Sequence, residues 1–286
     1  MSHFYRIKIA FEARFLTDSA YIKKRYFEKF GSVLNLENPV KFSEKIQWLK
    51  LNKRDNTFTK LVDKYEAKKF VNQKVGDRYV IPTFKLYDSA DEINLEDLPA
   101  KFALKATHGS GWNQIHLSHD NITTEQLRSY FRKWLSKSYY LYSKEWPYKN
   151  VKPRVLCEEL IFNKDNSLPE DYKFFVFNGK VKLIQVDHDR FSNHTRSFYD
   201  REWKKKPFSI GYRICDYEIA QPKKFKEMIL VAEKLAEDFT FLRVDLYNIN
   251  GIIKVGELTF FPGNGLEQFT DPEWDLELGT MLKLDN

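Results

Sequence analysis

The stretch FLRVDLYNINGIIKVGELTFFPGNG, residues 241–265, gathers Arg243, Asp245, Glu257 and Thr259 into one expected hairpin. Two β-like runs flank Asn250-Gly251, a dipeptide suited to a two-residue hairpin turn. Side chains alternate across a strand, so Arg243, Asp245 and Tyr247 share one face, and Glu257 and Thr259 share a face of the partner strand. Leu242, Val244, Leu246, Leu258 and Phe260 then turn toward a core. Two carboxylates on neighbouring strands suit a Mg²⁺ ion that completes its shell with phosphate oxygens. Arg243 is placed to neutralise a phosphoryl group in transfer. The plain alternative is an Arg–carboxylate cross-strand pair on a wet face, worth under ~1 kcal/mol. PGNG then breaks the chain at the carboxylate end, as a loop lining a site would.

A second run, FALKATHGSGWNQIHL at residues 102–117, carries Lys105 on a β-like stretch that leads into His108-Gly109-Ser110-Gly111. The backbone N–H groups of such a turn can wrap phosphate oxygens. The run matches neither GxxxxGK[ST] nor GxGxxG, so it is not a helix-terminated phosphate loop. Read alone, it is equally a flexible hairpin tip. Lys64, in Val62-Asp63-Lys64, is by itself a surface lysine. In RVLCEELI, residues 154–161, Glu158 and Glu159 end an apolar strand, where carboxylates are ordinarily solvated. Asp187-His188-Asp189 is a DxD, a pair able to hold a metal–nucleotide-sugar in a glycosyltransferase, although so short a motif recurs by chance. His116 and His119 bracket a strand end, which argues against a zinc site. His108 and His188 have the titration range of acid–base groups.

These residues need a scaffold. The chain has 286 residues, 42% hydrophobic, 16% aromatic and 30% charged, enough for one large domain or two smaller ones. Mean hydropathy is −0.57, and no apolar run approaches the ~20 residues of a membrane span. The opening MSHFYRIKIAFEARF interrupts its apolar stretch with charges and has no small-residue cleavage site, unlike a secretory signal. Two cysteines, Cys157 and Cys215, fit a reducing compartment, and together these features point to the cytoplasm. The net charge of +7 is concentrated: residues 1–60 hold 13 Lys/Arg against 6 Asp/Glu, and the remainder balances. A basic end suggests an anionic partner, whether nucleic acid, membrane head groups or an acidic polymer, or else a solvated helical face. No nucleic-acid motif accompanies it.

Residues 1–60 read as short helices. Gly31 stops one over Tyr21–Phe30, and Ser43 is the expected N-cap of another carrying Phe42, Ile46 and Leu49. A helix over 61–74 is followed by a short strand at Tyr79–Ile81, halted by Pro82, and later by a long helix from Thr123 to about Tyr140. From residue 154 the chain is β-rich, with turns at Asn178-Gly179 and Asn250-Gly251 and one helix at about Pro222–Asp238. Strands in hairpins around a single helix indicate an antiparallel α+β sheet, not a doubly wound parallel one.

Taken in order, a lysine after Asp63, a lysine strand with a Gly-rich lid, an EE-L-I linker, R-x-D and E-x-T-x-x-PG resemble the ATP-grasp superfamily. More closely, EKIQWLKL, LVDKYEAKKFV, LPAKFALKATHGSG, PEDYKFFVFNGKVK and GELTFFPGNGLEQF are similar to the TupA-like ATP-grasp family of bacterial surface-polysaccharide biosynthesis, over residues 38–270. The resemblance implies an ATP-grasp fold of the α+β class, two α+β subdomains clasping ATP. Residues 1–60 would be a helical basic segment, 61–153 the first subdomain with its lid, and 154–286 the second, with an antiparallel sheet and a Mg²⁺ site. It implies that Lys64 and Lys105 hold the α- and β-phosphates under a lid of Gly109, Ser110 and Gly111. Glu158 would meet the adenine amino group, with the backbone of Glu159, Leu160 and Ile161 reading the base edge. Asp171 would hold the ribose hydroxyls, with Glu170 beside it able to take that role.

By the same resemblance, Asp245 and Glu257 ligate Mg²⁺ and Arg243 stabilises the transferred phosphoryl group. Thr259 stands where the superfamily more often has Asn, so a hydroxyl replaces an amide oxygen as third metal ligand. Arg190 and Arg196, in a loop implied to arch over the phosphates, would grip an acyl phosphate or the acidic substrate, or be solvated loop charges. The implied activity is an ATP-dependent carboxylate–amine ligase acting on a uronic acid of a capsular or cell-wall polysaccharide. Its partners would be an acidic sugar or glycan precursor and an amine or amino acid, drawn to the basic N-terminus at the inner membrane face, and not nucleic acid. The alternatives are a glycosyltransferase using Asp187 and Asp189, and a non-catalytic glycan-binding module. The lysine pair with Asp245 and Glu257 argues against the latter.

Overall fold

The computed structural model describes residues 3–188 and 193–284. Helices α1 (His3–Phe15) and α2 (Asp18–Phe30) open the chain. Thr17 caps α2 by accepting the Ala20 N–H, and Gly31, at φ +68°, returns its N–H to the Phe27 carbonyl. In α3 (Phe42–Asn52) the expected Ser43 cap is replaced: Glu44 accepts the Val40 and Lys41 N–H groups at 2.9 and 3.1 Å. Ser43 instead donates its N–H and Oγ–H to Asp275 of α9 (Glu273–Met281), at 2.8 and 2.6 Å, tying the first helices to the last. The helix expected over 61–74 is two, α4 (Asn56–Val62) and α5 (Lys64–Val75). Asp63 leaves helical geometry to accept the N–H groups of Tyr65 and Glu66, which sets Lys64 at a helix N-terminus.

Strands β1 (Thr83–Tyr87), β2 (Phe102–Ala106), β3 (Asn113–His116) and β4 (Val155–Glu159) form an antiparallel sheet in the order β1-β4-β2-β3. The strand expected at 79–81 is a 3-10 turn ending at Tyr79, with a single bridge from Val80 to Val255. Pro82, which has no N–H for a ladder, precedes β1. Phe102, Leu104, Val155 and Cys157 pack in one cluster with Leu127 and Phe131 of α6 (Thr124–Leu135), leaving Lys105 and Glu158 on the opposite side of their strands. The helix expected to run to Tyr140 stops at Leu135, and α7 (Tyr139–Ser143) restarts after a Ser138 cap.

The second sheet has β5 (Asp171–Phe177), β6 (Lys180–His188), β7 (Thr195–Tyr199), β8 (Lys205–Lys206), β9 (Phe241–Ile249) and β10 (Ile252–Thr259). It is antiparallel throughout, in the order β10-β9-β5-β6-β7-β8. Both expected hairpin turns form: Asn178-Gly179 and Asn250-Gly251 all have positive φ. The single helix among these strands, α8 (Phe225–Ala236), packs its Met228, Ile229, Ala232 and Leu235 in the same core as Phe174, Val244 and Leu246. On the other face Phe175, Phe177 and Phe241 meet Phe42 of α3, with ring centroids 5.3–6.4 Å apart. Farther along that face stand Arg243, Asp245 and Lys173, and there the candidate site lies.

Because β4 completes the first sheet, the chain crosses to the second sheet between Glu159 and Asp171, not at 153/154. Residues of α3 and α4 share the core of the second sheet, whereas Ile22 and Tyr26 of α2 pack with Leu34 in a small cluster of their own. Cys157 and Cys215 are both free and buried. Among the described residues no helix is long and apolar enough to cross a membrane.

Candidate active site

On β9 and β10, Leu246 pairs with Val255 and Asp245 pairs with Glu257, so Gly256 is an extra residue, a bulge. Strict alternation would have sent Glu257 to the face of Ile253 and Val255, which are buried in the core. The bulge reverses the phase and brings Glu257 round to Asp245. A Cβ at position 256 would lie 2.8 Å from Tyr247 Cε2, so glycine is what lets the strand pass.

Arg243 donates to both carboxylate oxygens of Asp245, each at 2.7 Å, and to Thr259 Oγ1 at 3.2 Å. Lys64 Nζ lies 3.0 Å from Glu257 Oε1 and donates to the Gly109 carbonyl at 2.8 Å, so one lysine ties the lid to the hairpin. Burial raises the Glu257 carboxyl, but Lys64 and Arg243 outweigh it and bring it down to about 2. Burial pushes Asp245 up to about 6, with Arg243 working against that rise and Asp171 adding to it.

Across from this hairpin, Lys105 on β2 contacts one oxygen of Glu158, and Lys68 on α5 reaches the other at 2.9 Å. Glu158 is therefore a buried counter-ion shared by two lysines, and it also lines the cleft between the sheets. Burial raises it, yet Lys105 and Lys68 hold it below the usual carboxylate range. Burial lowers Lys105, but Glu158, with Tyr247 and Glu257 farther off, holds it above the usual lysine range.

In the lid, Ser110 and Gly111 are exposed, whereas His108 and Gly109 are buried. His108 Nε2 lies 3.2 Å from the Trp134 carbonyl and its ring centroid is 5.0 Å from that of Trp112. Burial lowers its pKa, and the contact with the Trp134 carbonyl anchors the lid to α6.

Between the sheets runs a cleft of about 700 Å³, within the ~300–1,000 Å³ of small-molecule sites. Lys105, Glu158, Glu159, Leu160 and Ile161 line one side, and Glu170, Tyr172, His188 and Tyr247 also line it. The Glu159 N–H donates to the Pro82 carbonyl at 3.0 Å. Of the two residues considered for a ribose, Glu170 lines the cleft: it accepts the Tyr172 hydroxyl at 2.8 Å and lies 3.4 Å from His188 Nδ1. Asp171 is buried on β5, opposite Tyr247 and Asp187, and bonded by Lys173.

Asp187, the first carboxylate of the DxD, is enclosed. It accepts from Lys173 at 2.7 Å, from Arg196 at 2.6 Å and from Gln185, and His194 lies 3.2 Å away. Burial raises it, but Lys173 and Arg196 hold it far below the carboxylate range. Arg196 lies on β7, not on a loop. It is buried, bonded also to the Ile210 carbonyl, and sits over the Tyr212 ring at 4.7 Å. The second carboxylate, Asp189, and Arg190 lie outside the described residues.

Three residues of the site escaped the sequence reading. Lys68 had a signal, its i+4 spacing from Lys64 on one helix. Lys173 pairs in register with Asp245, which only strand pairing reveals. Glu145, buried near Arg243 and Glu257, had none; burial pushes it up to about 7 although Lys50 opposes the rise.

Among the described residues no three His, Cys, Asp or Glu side chains converge as a metal cage. Asp245 and Glu257 form a two-carboxylate set of hard oxygen donors, which fits Mg²⁺ completed by phosphate oxygens and water.

A family model described as TupA-like ATPgrasp matches residues 44–283. No curated protein matches the chain. Among solved structures, the D-alanine–D-alanine ligase from Bacillus anthracis complexed with ATP is 16% identical, with a TM-score of 0.41 over 70% of this chain and 53% of that one. The ATP-grasp ligase PsnB, complexed with a phosphomimetic variant of its minimal precursor, Mg and ADP, is 10% identical with a TM-score of 0.42, over 84% and 66%. N5-carboxyaminoimidazole ribonucleotide synthetase from Thermus thermophilus is 11% identical with a TM-score of 0.38, over 70% and 45%. The chain spans about half the length of the Bacillus ligase, 53%. The family match runs from α3 to the end of α9 and takes in both lysine elements, the bulged hairpin and the PGNG turn. The fold is ATP-grasp, of the α+β class, and the chain belongs to the TupA-like ATPgrasp family.

Proposed function

We propose that the protein is an ATP-dependent carboxylate–amine ligase that joins an amino acid or amine to a uronic acid of a capsular or cell-wall polysaccharide through an acyl phosphate. One observation carries this reading: Arg243, Asp245 and Glu257 stand on one sheet while Lys105 comes from the other, with Lys64 bridging hairpin and lid. Lys64 and Lys105 hold the α- and β-phosphates. Leu160 and Ile161 meet the base edge, and Glu170 takes the ribose hydroxyls. Asp245 and Glu257, with Thr259 beside them, would hold Mg²⁺, which supplies charge neutralisation at the phosphates.

In the first step a carboxylate oxygen of the acceptor attacks the γ-phosphorus, and the bond to the leaving ADP oxygen breaks. Arg243, partly buried and fixed on Asp245, faces the negative charge that gathers there. In the second step the amine attacks the acyl carbon, inorganic phosphate departs, and the amine's proton passes to solvent. Positioning does the chemistry and no side-chain nucleophile takes part. The acidic acceptor, free or membrane-linked at the cytoplasmic face, is drawn to the basic N-terminal helices. There Lys23 and Lys29 are exposed, while Lys24 and Arg25 pair with Glu12 and Glu28.

The family match weighs against the glycosyltransferase alternative. The test supplies Mg²⁺–ATP, a galacturonate oligosaccharide and an amino acid panel. ADP and phosphate should appear in equal amounts with a new amide. A melting-temperature rise with UDP-glucuronic acid and none with Mg²⁺–ATP would move the reading to glycosyl transfer.

A further inference from the structure

Helices α1 and α2 lie side by side, and the two sides of the pair differ in kind. The inner side is tied to the body of the chain. Lys144 Nζ donates to the Ala13 carbonyl at 2.6 Å, the Tyr21 hydroxyl donates to the Tyr142 carbonyl at 3.1 Å, and Tyr26 Oη lies 3.0 Å from Ser43 Oγ. Along the seam between the helices the buried Glu12 meets Lys24 at 2.6 Å, and Lys8 lies 3.7 Å from Glu28.

The outer side holds large apolar rings in water. Phe11 and Phe15 of α1 are 63% and 66% exposed, and Phe27 of α2 is 55% exposed. Lys8, Phe11 and Phe15 share one side of α1 by i, i+3, i+7 spacing, and the two ring centroids are 4.5 Å apart. On α2, Lys23 and Phe27 stand four residues apart on one side. Cations are set among the rings: Lys8, Arg14 and Lys23 are all exposed. The nearby carboxylates are engaged, Glu12 by Lys24 and Glu28 by Arg25. Arg14 and Lys23 pair with no carboxylate among the described residues.

Clustered apolar rings left in water mark an interaction surface, and the charge around them selects the partner. A second copy placed face to face would set Arg14 and Lys23 against the same cations. An anionic bilayer offers the complement: negative head groups at the level of the cations, and acyl chains beneath them for the rings. We propose that the outer face of the α1–α2 pair is a peripheral membrane-binding surface for anionic phospholipid. Phe11, Phe15 and Phe27 enter the head-group boundary, while Lys8, Arg14 and Lys23 meet lipid phosphates. None of these residues lines the nucleotide cleft, so the surface stands apart from the ligase reading.

The test is co-sedimentation of the full chain with two kinds of vesicle, phosphatidylcholine alone and equal parts phosphatidylcholine and phosphatidylglycerol. The chain should pellet with the anionic vesicles and stay in solution with the neutral ones. The double variant Phe11→Ser, Phe15→Ser should bind about tenfold more weakly or worse, the effect of withholding a phenylalanine ring from an apolar phase. Lys23→Glu should lose about fivefold or more, the share of one basic residue near an anionic surface. Lys226→Glu, equally exposed on α8, changes the net charge as much and should bind like the parent. All these positions are exposed, and circular dichroism checks that each variant is folded. No binding to anionic vesicles, equal binding to both kinds, or unchanged binding in the double phenylalanine variant overturns the proposal. Equal losses in Lys226→Glu and Lys23→Glu would reduce the contact to net charge and overturn it as well. A concentration-dependent dimer that the double variant dissolves, in a chain that ignores vesicles, gives the face to a second copy instead.

Discussion

Asp245 and Glu257 face each other across β9 and β10 only because Gly256 is an extra residue between Glu257 and Val255. The candidate metal pair is thus a product of one bulge. A methyl group at 256 would sit 2.8 Å from the Tyr247 ring, and Tyr247 lines the cleft. Gly256→Ala should therefore destabilise the protein by about 1–3 kcal/mol, the usual range for overpacking, and weaken Mg²⁺–ATP binding with it. Urea denaturation and nucleotide titration check both. Wild-type values in each would mean that the ring gives way freely and the bulge does not need glycine.

Asp245→Asn and Glu257→Gln each remove one charge while keeping shape. Both variants should retain the far-ultraviolet circular dichroism of the parent and lose ATP turnover. Normal turnover in either one removes that carboxylate from the metal pair.

The Lys64–Glu257 pair carries a pH signature. The carboxyl of Glu257 falls from an ordinary 4.5 to about 2. A lowered carboxyl stabilises the fold above its unfolded-state value, and that stability is lost as pH falls through the folded-state value. In Lys64→Met part of this contribution disappears. The variant should be less stable by on the order of 1 kcal/mol above pH 4.5, because a partly exposed pair is screened by water. The difference should shrink toward zero near pH 2. Chemical denaturation at a series of pH values reads it, and a penalty that does not vary with pH would show that the two groups are not paired.

At the other wall, Lys105→Ala removes a charge-assisted contact worth ~1.5–3 kcal/mol, or about 10- to 150-fold in nucleotide affinity. Lys68→Met, which takes one of two lysines from Glu158, should have a smaller effect in the same direction. Undiminished ATP binding in Lys105→Ala would displace the phosphate clamp from this strand.

Much of the N-terminal charge is turned inward. Lys45 donates to the Gly279 and Leu282 carbonyls at 2.8 and 2.7 Å, and Lys50 holds the PGNG turn. Lys23 and Lys29 remain exposed. Reversing both to Glu should weaken binding of polygalacturonate, and wild-type binding should fade with salt, since exposed charges are screened over ~8–10 Å at physiological ionic strength. Equal, salt-insensitive binding by both proteins would make these lysines a solvated helical face.

What could be read along the chain was whatever depends on near neighbours. Asn250-Gly251 demands a tight hairpin wherever it lies, and period-two alternation alone puts Arg243 beside Asp245 and sends Val244 inward. The α+β class and the family came in the same way, from the order of local motifs. The rest waited for tertiary structure, because partners across strands are chosen by register and packing between distant residues. One bulged glycine reversed the phase of Glu257 against Val255. Strand pairing buried Asp171 beside Lys173 and left Glu170 to the cleft, and it closed Lys173 and Arg196 around Asp187. The sheet that β4 completes set Glu158 between Lys105 and Lys68, whose own positions are fixed by β2 and α5. A carboxylate's sequence tells which charge it carries; the counter-ion it meets is decided by the fold.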